Sequence, residues 1–317
     1  SAESIPSIVR AGGSTVGLRC PDHPLTLELL QKCALPLAAP SANPSGAPSP
    51  KTAAQVLEYF DGKIDAVIDG GECGIGTEST IISLAGAPFK ILRPGALDAD
   101  EISARLAADM YIVGLTGGSG TGKTTALEVL RDMGALCIDA DELYHKLTRT
   151  SAEMKAELIG RFGPVYDGDT LDRKALGGLV FSDAAALAEL NAITHKYVSR
   201  EIKRLLRDFA MSGGALAAID AVGIFEGGAD ALCAAVFGVL APEGLRCERI
   251  MAREGISREY ALKRIRAQRP DEYYKDVCTA VLVNDGTREE FAAECKAAFT
   301  EAIRNGRKER LSRRALL

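Results

Sequence analysis

The stretch Tyr111-Ile-Val-Gly-Leu-Thr-Gly-Gly-Ser-Gly-Thr-Gly-Lys-Thr-Thr125 decides how the chain is read: an apolar run breaks into glycines and ends in Lys-Thr where a helical pattern begins. Residues 111–116 read as a buried parallel strand, and Ala126, Leu127, Val129, Leu130 and Met133 give a helical apolar face closed by Gly134. Between them, Gly117, Gly122, Lys123 and Thr124 satisfy G-x-x-x-x-G-K-[ST]. Glycines at these positions let successive backbone N–H groups turn inward on a phosphate at a helix N-terminus. A flexible Gly/Ser/Thr connector has the same composition, but it lacks the strand before and the helix after. The loop Gly117, Gly118, Ser119, Gly120, Thr121, Gly122, Lys123, Thr124 and Thr125 is therefore the expected ATP-binding segment. Lys123 is expected to reach the β- and γ-phosphates, and the Thr124 hydroxyl to ligate Mg²⁺.

The 317-residue chain as a whole is ordinary for a globular protein of two domains, with 47% apolar and 26% charged residues. A net charge of −5 argues against general nucleic-acid binding. The stretch 304–314 nevertheless carries five arginines and one lysine, in a pattern that suits either a solvated helix end or a docking arm. Eight cysteines lie no closer than thirteen positions apart, so no local zinc knuckle or C-x-x-C pair is drawn. Reduced thiols and a cytoplasmic location are expected. No apolar run approaches the ~18 residues of a membrane span, and residues 231–241 read instead as a strand. Signal-peptide architecture is not read at the N-terminus, which starts with Ser1 rather than Met.

Residues 1–105 read as a mixed α/β region, with 106–110 as a linker and 111–317 as the second domain. Strands are expected at 15–19, 35–39, 66–68, 79–84 and 89–92, helices at 25–32 and 52–60, and a short helix over 97–109. Two polar stretches, 40–46 and 70–80, are either turns or functional loops.

In the second domain, residues 135–138 form a strand that delivers Asp139 and Asp141 to the carboxyl edge of a parallel sheet, where α/β folds bind ligands. A carboxylate there could accept the proton of an attacking hydroxyl. Alternatively, Asp141 caps the helix over 142–148. Helices follow at 153–162, 173–181 and 184–209; the last carries His195 among Lys196, Arg200, Lys203 and Arg204, either packed or facing an anion. Strands are expected at 215–219, 235–240 and 280–283, and a closing helix at 289–304. Residues 243–269 are helical and basic, either a solvated hairpin or a mobile lid that lowers cations onto a transferring phosphate. Alternation after a phosphate loop gives a three-layer α/β/α core with a parallel sheet.

Two resemblances narrow this. Leu115 to Thr125, Ile138-Asp-Ala-Asp-Glu142, Phe162-Gly163, Asp167-Gly168 with Leu171-Asp-Arg173, Val180-Phe181, Ile193-Thr-His195, Ile224-Phe-Glu226 and Val283-Asn284 recur in an order that resembles dephospho-CoA kinase over residues 110–305. Ser41-Ala-Asn-Pro-Ser-Gly46, Glu78-Ser-Thr80 and Leu92-Arg-Pro-Gly95 resemble the second half of the YrdC/Sua5 family, which makes threonylcarbamoyl-AMP, over residues 5–97. The fold implied is an α/β P-loop kinase with a helical lid, preceded by a partial YrdC-like domain.

By the first resemblance, ATP phosphorylates the ribose 3′-hydroxyl of dephospho-CoA. Asp141 matches the base and Arg173 and His195 the acceptor side. Arg253, Arg258 and Arg264 match the lid, and Asn284 lies near the adenine. Lys196 stands where that family has proline, and Val222-Gly-Ile-Phe-Glu226 replaces its usual P-L-L-F-E strand end. By the second, Ser41, Asn43, Ser79 and Arg93 face a nucleotide. The first half of that pattern, with its basic K-x-R motif, is missing, so unaided adenylate formation is not expected. A covering partner is, either a second copy or the kinase half. Another small-molecule or nucleotide kinase and a nucleotide-switched scaffold are the competing functions.

Overall fold

The computed structural model describes residues 5–315, without the side chains of 310, 311 and 313–315 in its last helix. The side chains of Arg310, Arg313 and Arg314 in the basic tail therefore lie outside the described residues. The chain divides into two compact units, Ser1–Glu101 and Ile102–Leu317.

The first unit holds α1 (Pro24–Cys33), α2 (Ala53–Phe60), β1 (Ile81–Ser83) and β2 (Lys90–Arg93). Thr52 starts α2 by accepting the Gln55 N–H at 3.3 Å. β1 and β2 pair antiparallel, with Ile82 opposite Ile91. The strands expected at 15–19, 35–39 and 66–68 do not form. A strand persists only where a neighbour takes its N–H and C=O groups, and these segments have none. Among the described residues from 5 to 101 no side chain is fully buried; Ile8 is 90% exposed and Leu18 86%. This unit has local structure without a core.

The helix α3 (Ala99–Ala108) carries the chain into the second unit, so the expected linker at 106–110 begins inside a helix. β3 (Tyr111–Thr116) follows, buried at every position because it is the central strand. Next come α4 (Lys123–Asp132), β4 (Leu136–Asp139), α5 (Ala140–Thr150) and α6 (Ala152–Phe162). The short hairpin β5 (Tyr166–Asp167) and β6 (Thr170–Leu171) precedes α7 (Arg173–Val180) and α8 (Ala184–Met211). The unit closes with β7 (Leu216–Asp220), β8 (Ala235–Leu240), α9 (Glu243–Glu254), α10 (Arg258–Arg266), α11 (Asp271–Val277), β9 (Ala280–Val283) and α12 (Arg288–Ala315).

The five strands run parallel in the order β4-β7-β3-β8-β9, with β3 flanked by β7 and β8. Side-chain alternation splits each strand between two cores. Tyr111, Val113, Leu115, Leu216 and Ala218 pack with Leu127 and Leu130 of α4 and with Phe291 and Phe299 of α12. Ile112, Ala217 and Ile219 pack on the opposite side, with Leu143 of α5 and Ile202 and Leu206 of α8. The three-layer arrangement follows from this alternation, because both sheet faces are apolar and both must be covered. Phe299 meets Phe237 edge to face at 5.0 Å between ring centres.

Because Phe299 is fully buried and Leu18 is not, Phe299→Ala should destabilise the second unit by about 3–5 kcal/mol. Leu18→Ala should change it by less than about 0.5 kcal/mol. Urea titration followed by far-UV circular dichroism measures both; equal costs would contradict the description of where the core lies.

Candidate active site

The loop after β3 needs glycine for close approach as much as for conformation. At Gly117 (φ +139°) a Cβ would collide with the Val239 carbonyl of β8, and at Gly122 (φ +105°) with the Asn284 amide. Around the turn, Thr121 Oγ1 donates to the Gly118 carbonyl at 3.0 Å, and Thr125 N–H donates to the Gly122 carbonyl at 3.0 Å as α4 begins. Lys123, the first residue of α4, donates from Nζ to the Gly117 carbonyl at 2.8 Å.

Parallel register sets the carboxylates. Asp139 ends β4 directly opposite Asp220, which ends β7. The two lie abreast on the face that α4 covers, because Asp220 continues the alternation of Leu216 and Ala218. The Lys123 ammonium is set among them. Burial pushes it below its ordinary value, while Asp220, Asp141 and Asp139 pull it back up. Asp220 is raised to about 6 by burial, with Asp139 and Asp141 adding to the rise and Lys123 opposing it. Asp141 is raised too, by burial first and by Asp139 second, against Lys123 and His145.

Helix capping, the alternative role for Asp141, belongs to its neighbour. The Asp139 carboxylate accepts the N–H groups of Asp141 and Glu142, each at 2.9 Å, and so caps α5. Asp141, in the first turn of α5, is left to face the cavities.

There are two. One, of ≈ 320 Å³, is lined by residues 118–124, Asp139, Asp141, Asp220, Val222, Arg249 and Arg253. The other, of ≈ 260 Å³, lies between α5, α8 and the turn after β7, and its lining includes Asp141, Tyr144, Asn191, His195, Ser199 and Gly223. Asp141 alone is common to both linings. Its carboxylate therefore stands where a group in one cavity would meet a phosphate in the other.

His195 lines the second cavity. Arg173 lies outside that lining, its Nη2 3.0 Å from His145 Nδ1. Arg253 lines the phosphate cavity, while Arg258 and Arg264 do not; Arg264 pairs with Glu254. The buried Asn284 supports the loop from beneath: its Nδ2 donates to the Thr121 carbonyl at 2.9 Å, and its Oδ1 accepts from Arg249 at 3.2 Å. Both ends of its side chain are thus engaged by protein. In the first unit, the Arg93 Nη2 donates to the Ser79 carbonyl at 2.8 Å and Nη1 pairs with Glu78 at 3.3 Å. Asn43 Nδ2 donates to the Ala47 carbonyl at 2.7 Å. Ser41 is exposed.

Asp220 and Arg249 were not among the expected site residues. An aspartate directly after the apolar run 216–219 was the available signal for the first. Arg249 sits in the basic stretch, but only the fold turns it toward the loop.

A phosphate loop, a lysine among carboxylates and one carboxylate bridging two cavities at the carboxyl edge of a parallel sheet define a P-loop kinase. Residues 111–290 match the family model described as dephospho-CoA kinase, and the chain belongs to that family. It is 36% identical over 200 residues to a dephospho-CoA kinase from Moorella thermoacetica, covering 62% of this chain and 94% of that one. The crystal structure of TT1252 from Thermus thermophilus superposes with a TM-score of 0.51 at 35% identity, over 61% of this chain and 97% of that one. Residues 1–95 match a second model, described as telomere recombination. A threonylcarbamoyl-AMP synthase from Pyrococcus abyssi is 48% identical over 101 residues, which is 32% of this chain but only 30% of that protein.

The raised carboxyl of Asp220 sets a pH dependence. Between its unfolded value of 3.8 and its folded value of about 6, a shift of about 2, the folded chain holds a proton that the unfolded chain releases. Its contribution to stability is therefore full below about pH 4 and falls as pH rises through 6, a loss of about 3 kcal/mol. Asp220→Asn should raise the unfolding free energy at pH 7.5 by about 1–3 kcal/mol, with a smaller gain at pH 4.5. Denaturant titrations at the two pH values measure this; an asparagine variant less stable than wild type at pH 7.5 would contradict the assignment.

Proposed function

We propose that the second unit transfers the γ-phosphoryl group of ATP to the ribose 3′-hydroxyl of dephospho-CoA, giving CoA and ADP. The observation that carries the roles of the residues is Asp141, shared by the loop-lined cavity and the cavity that holds His195. ATP lies with its phosphates on the loop of residues 117–124, the Ser119 N–H excepted because Gln268 holds it, and with Lys123 at the β- and γ-phosphates. The nucleoside end of dephospho-CoA occupies the second cavity, beside His195 and Asn191. Asp141 accepts the 3′-hydroxyl proton as the oxygen forms its bond to Pγ and the bond from Pγ to the β-γ bridging oxygen breaks. ADP leaves with that electron pair. A carboxyl raised toward neutrality by burial is better matched to this role than an ordinary aspartate. Arg249 and Arg253, on the rim of the phosphate cavity, offset charge on the transferring group.

Mg²⁺ fits this cavity. Its donors are all oxygens, from Thr124, Asp139 and Asp220, and Asp220 Oδ1 is buried without a hydrogen-bond partner. Among the described residues no group of three or more His, Cys, Asp or Glu side chains would cage a metal alone. Mg²⁺ asks for no such cage, since it retains waters and completes its shell with substrate phosphates. When bound, it supplies charge compensation on the phosphate oxygens.

The first unit is, in this reading, a threonylcarbamoyl-AMP synthase-like region, and residues 1–105 by themselves do not form the adenylate. It associates with a second copy through the apolar surface it leaves uncovered. Its lack of any buried side chain among residues 5–101 supports this. A cytoplasmic location accords with eight unpaired cysteines. Among the described residues no helix is long and apolar enough to cross a membrane.

Asp141→Asn should lower kcat about 10²–10⁴-fold with the KM for dephospho-CoA little changed, whereas Lys123→Ala should raise the KM for ATP and lower kcat together. A coupled ADP-release assay measures both, and near wild-type turnover in Asp141→Asn would remove it as base. The same assay across nucleosides, nucleoside monophosphates and shikimate discriminates other kinases; acceptor-independent hydrolysis alone would favour a nucleotide-switched scaffold. For the first unit, light scattering should show a species larger than the monomer, with threonine- and bicarbonate-dependent pyrophosphate release at background. A monomer with robust release would overturn that part.

A further inference from the structure

One residue of the phosphate loop is held by protein at each of its polar atoms. Ser119 N–H donates to Gln268 Oε1 at 2.9 Å, Ser119 Oγ accepts from Gln268 Nε2 at 2.8 Å, and the Ser119 carbonyl accepts from Arg246 Nε at 3.0 Å. The two clamping side chains also bond each other, Arg246 Nη2 donating to Gln268 Oε1 at 2.8 Å. The triangle is closed, and Arg246 within it is only 6% exposed.

The topology explains why these residues reach the loop. α9 starts directly after β8, the neighbour of β3 in the sheet, so its first turns lie at the edge where the loop leaves β3. α10 folds back onto α9 through Cys247, Ile250, Ala261 and Ile265, and this return brings Gln268, just past its end, to the same loop residue. Gly118 is fitted to the clamp as well: a Cβ there would strike the Arg246 guanidinium and approach Gln268 Oε1 to 2.7 Å. The nearest carboxylate to the buried guanidinium, Asp271, is 4.0 Å away and itself 42% exposed. A buried cation so loosely paired is costly to the fold, and it lies beneath a loop whose amides face a polyanion.

We infer that Arg246 and Gln268 are positioning residues for the nucleotide: by locking Ser119 they hold residues 118–122 in the shape that receives the phosphates, and they tie both arms of the α9–α10 hairpin to that loop. The inference rests on the ATP site proposed above and concerns its preorganisation. The basic stretch, which the sequence leaves as either a solvated hairpin or a mobile lid, is on this account part of the loop's frame.

The test reads nucleotide binding rather than turnover. Titration calorimetry with ATP, and separately with dephospho-CoA, is carried out on the full chain as wild type, Gln268→Leu, Arg246→Met and the double variant, with thermal unfolding in parallel. The expected result is an ATP Kd raised about tenfold or more in each single variant, with dephospho-CoA affinity within about twofold of wild type. The double variant should be little worse than the weaker single, because both side chains act through Ser119. Gln268→Glu, which keeps the acceptor for Ser119 N–H and Arg246, should recover part of the loss and serves if Arg246→Met does not fold. Unchanged ATP affinity in a folded Gln268→Leu, equal weakening of both ligands, or additive penalties would each overturn the inference. Failure of wild type to bind dephospho-CoA would instead count against the substrate assignment and leave the ATP readout intact.

Discussion

The second unit is organised around a lysine ammonium half-buried among carboxylates at the carboxyl edge of a parallel sheet. Lys123 has to remain charged where burial disfavours charge, and Asp139, Asp141 and Asp220 supply the opposing field. Asp139 and Asp220 are forced abreast by the pairing of β4 with β7, so Asp139 adds to the burial that makes Asp220 harder to ionise, and Lys123 opposes both. Stability alone does not call for such a cluster. It is a site kept under electrostatic tension, and the α/β/α framework of central β3, its two apolar faces and the helices that cover them holds that tension in place. The geometry then separates the roles. Asp139 caps α5, Asp220 keeps one buried oxygen without a hydrogen-bond partner, and Asp141 is shared by the linings of both cavities.

Much of this unit was legible in the amino-acid order because its signals are local. Continuous apolar runs bounded by turn residues mark β3, β8 and β9 at the bounds observed, Tyr111–Thr116, Ala235–Leu240 and Ala280–Val283. The phosphate loop is legible because its constraint is a backbone one that glycine alone meets. Identity of the cap was not legible: Asp139 and Asp141 both precede a helical pattern, and only the dihedral path shows which carboxylate turns back on the N–H groups. Nor was the attachment of Arg246, Gln268 and Asn284 to the loop, made across 127, 149 and 163 residues of chain. A basic helical segment reads the same whether its arginines face water, a ligand or a loop.

The first unit fails in the other direction. Its residues have strand-like composition at 15–19, 35–39 and 66–68, yet β-propensity expresses fit to a half-buried pleated surface, and here there is no such surface to fit. Helices α1 and α2, whose hydrogen bonds are internal, form where expected, whereas of the strands only the β1–β2 pair forms, each being the other's partner. The contrast between the units is one of burial, complete along β3, whereas no residue from 5 to 101 is more than partly buried.

A crystal structure of the full chain with a non-hydrolysable ATP analogue and dephospho-CoA tests the central claim most directly. The triphosphate is expected on the loop 117–124 and the ribose 3′-oxygen within hydrogen-bond reach of Asp141, about 2.6–3.2 Å. A 3′-oxygen turned away from Asp141 with the triphosphate seated on that loop would contradict it.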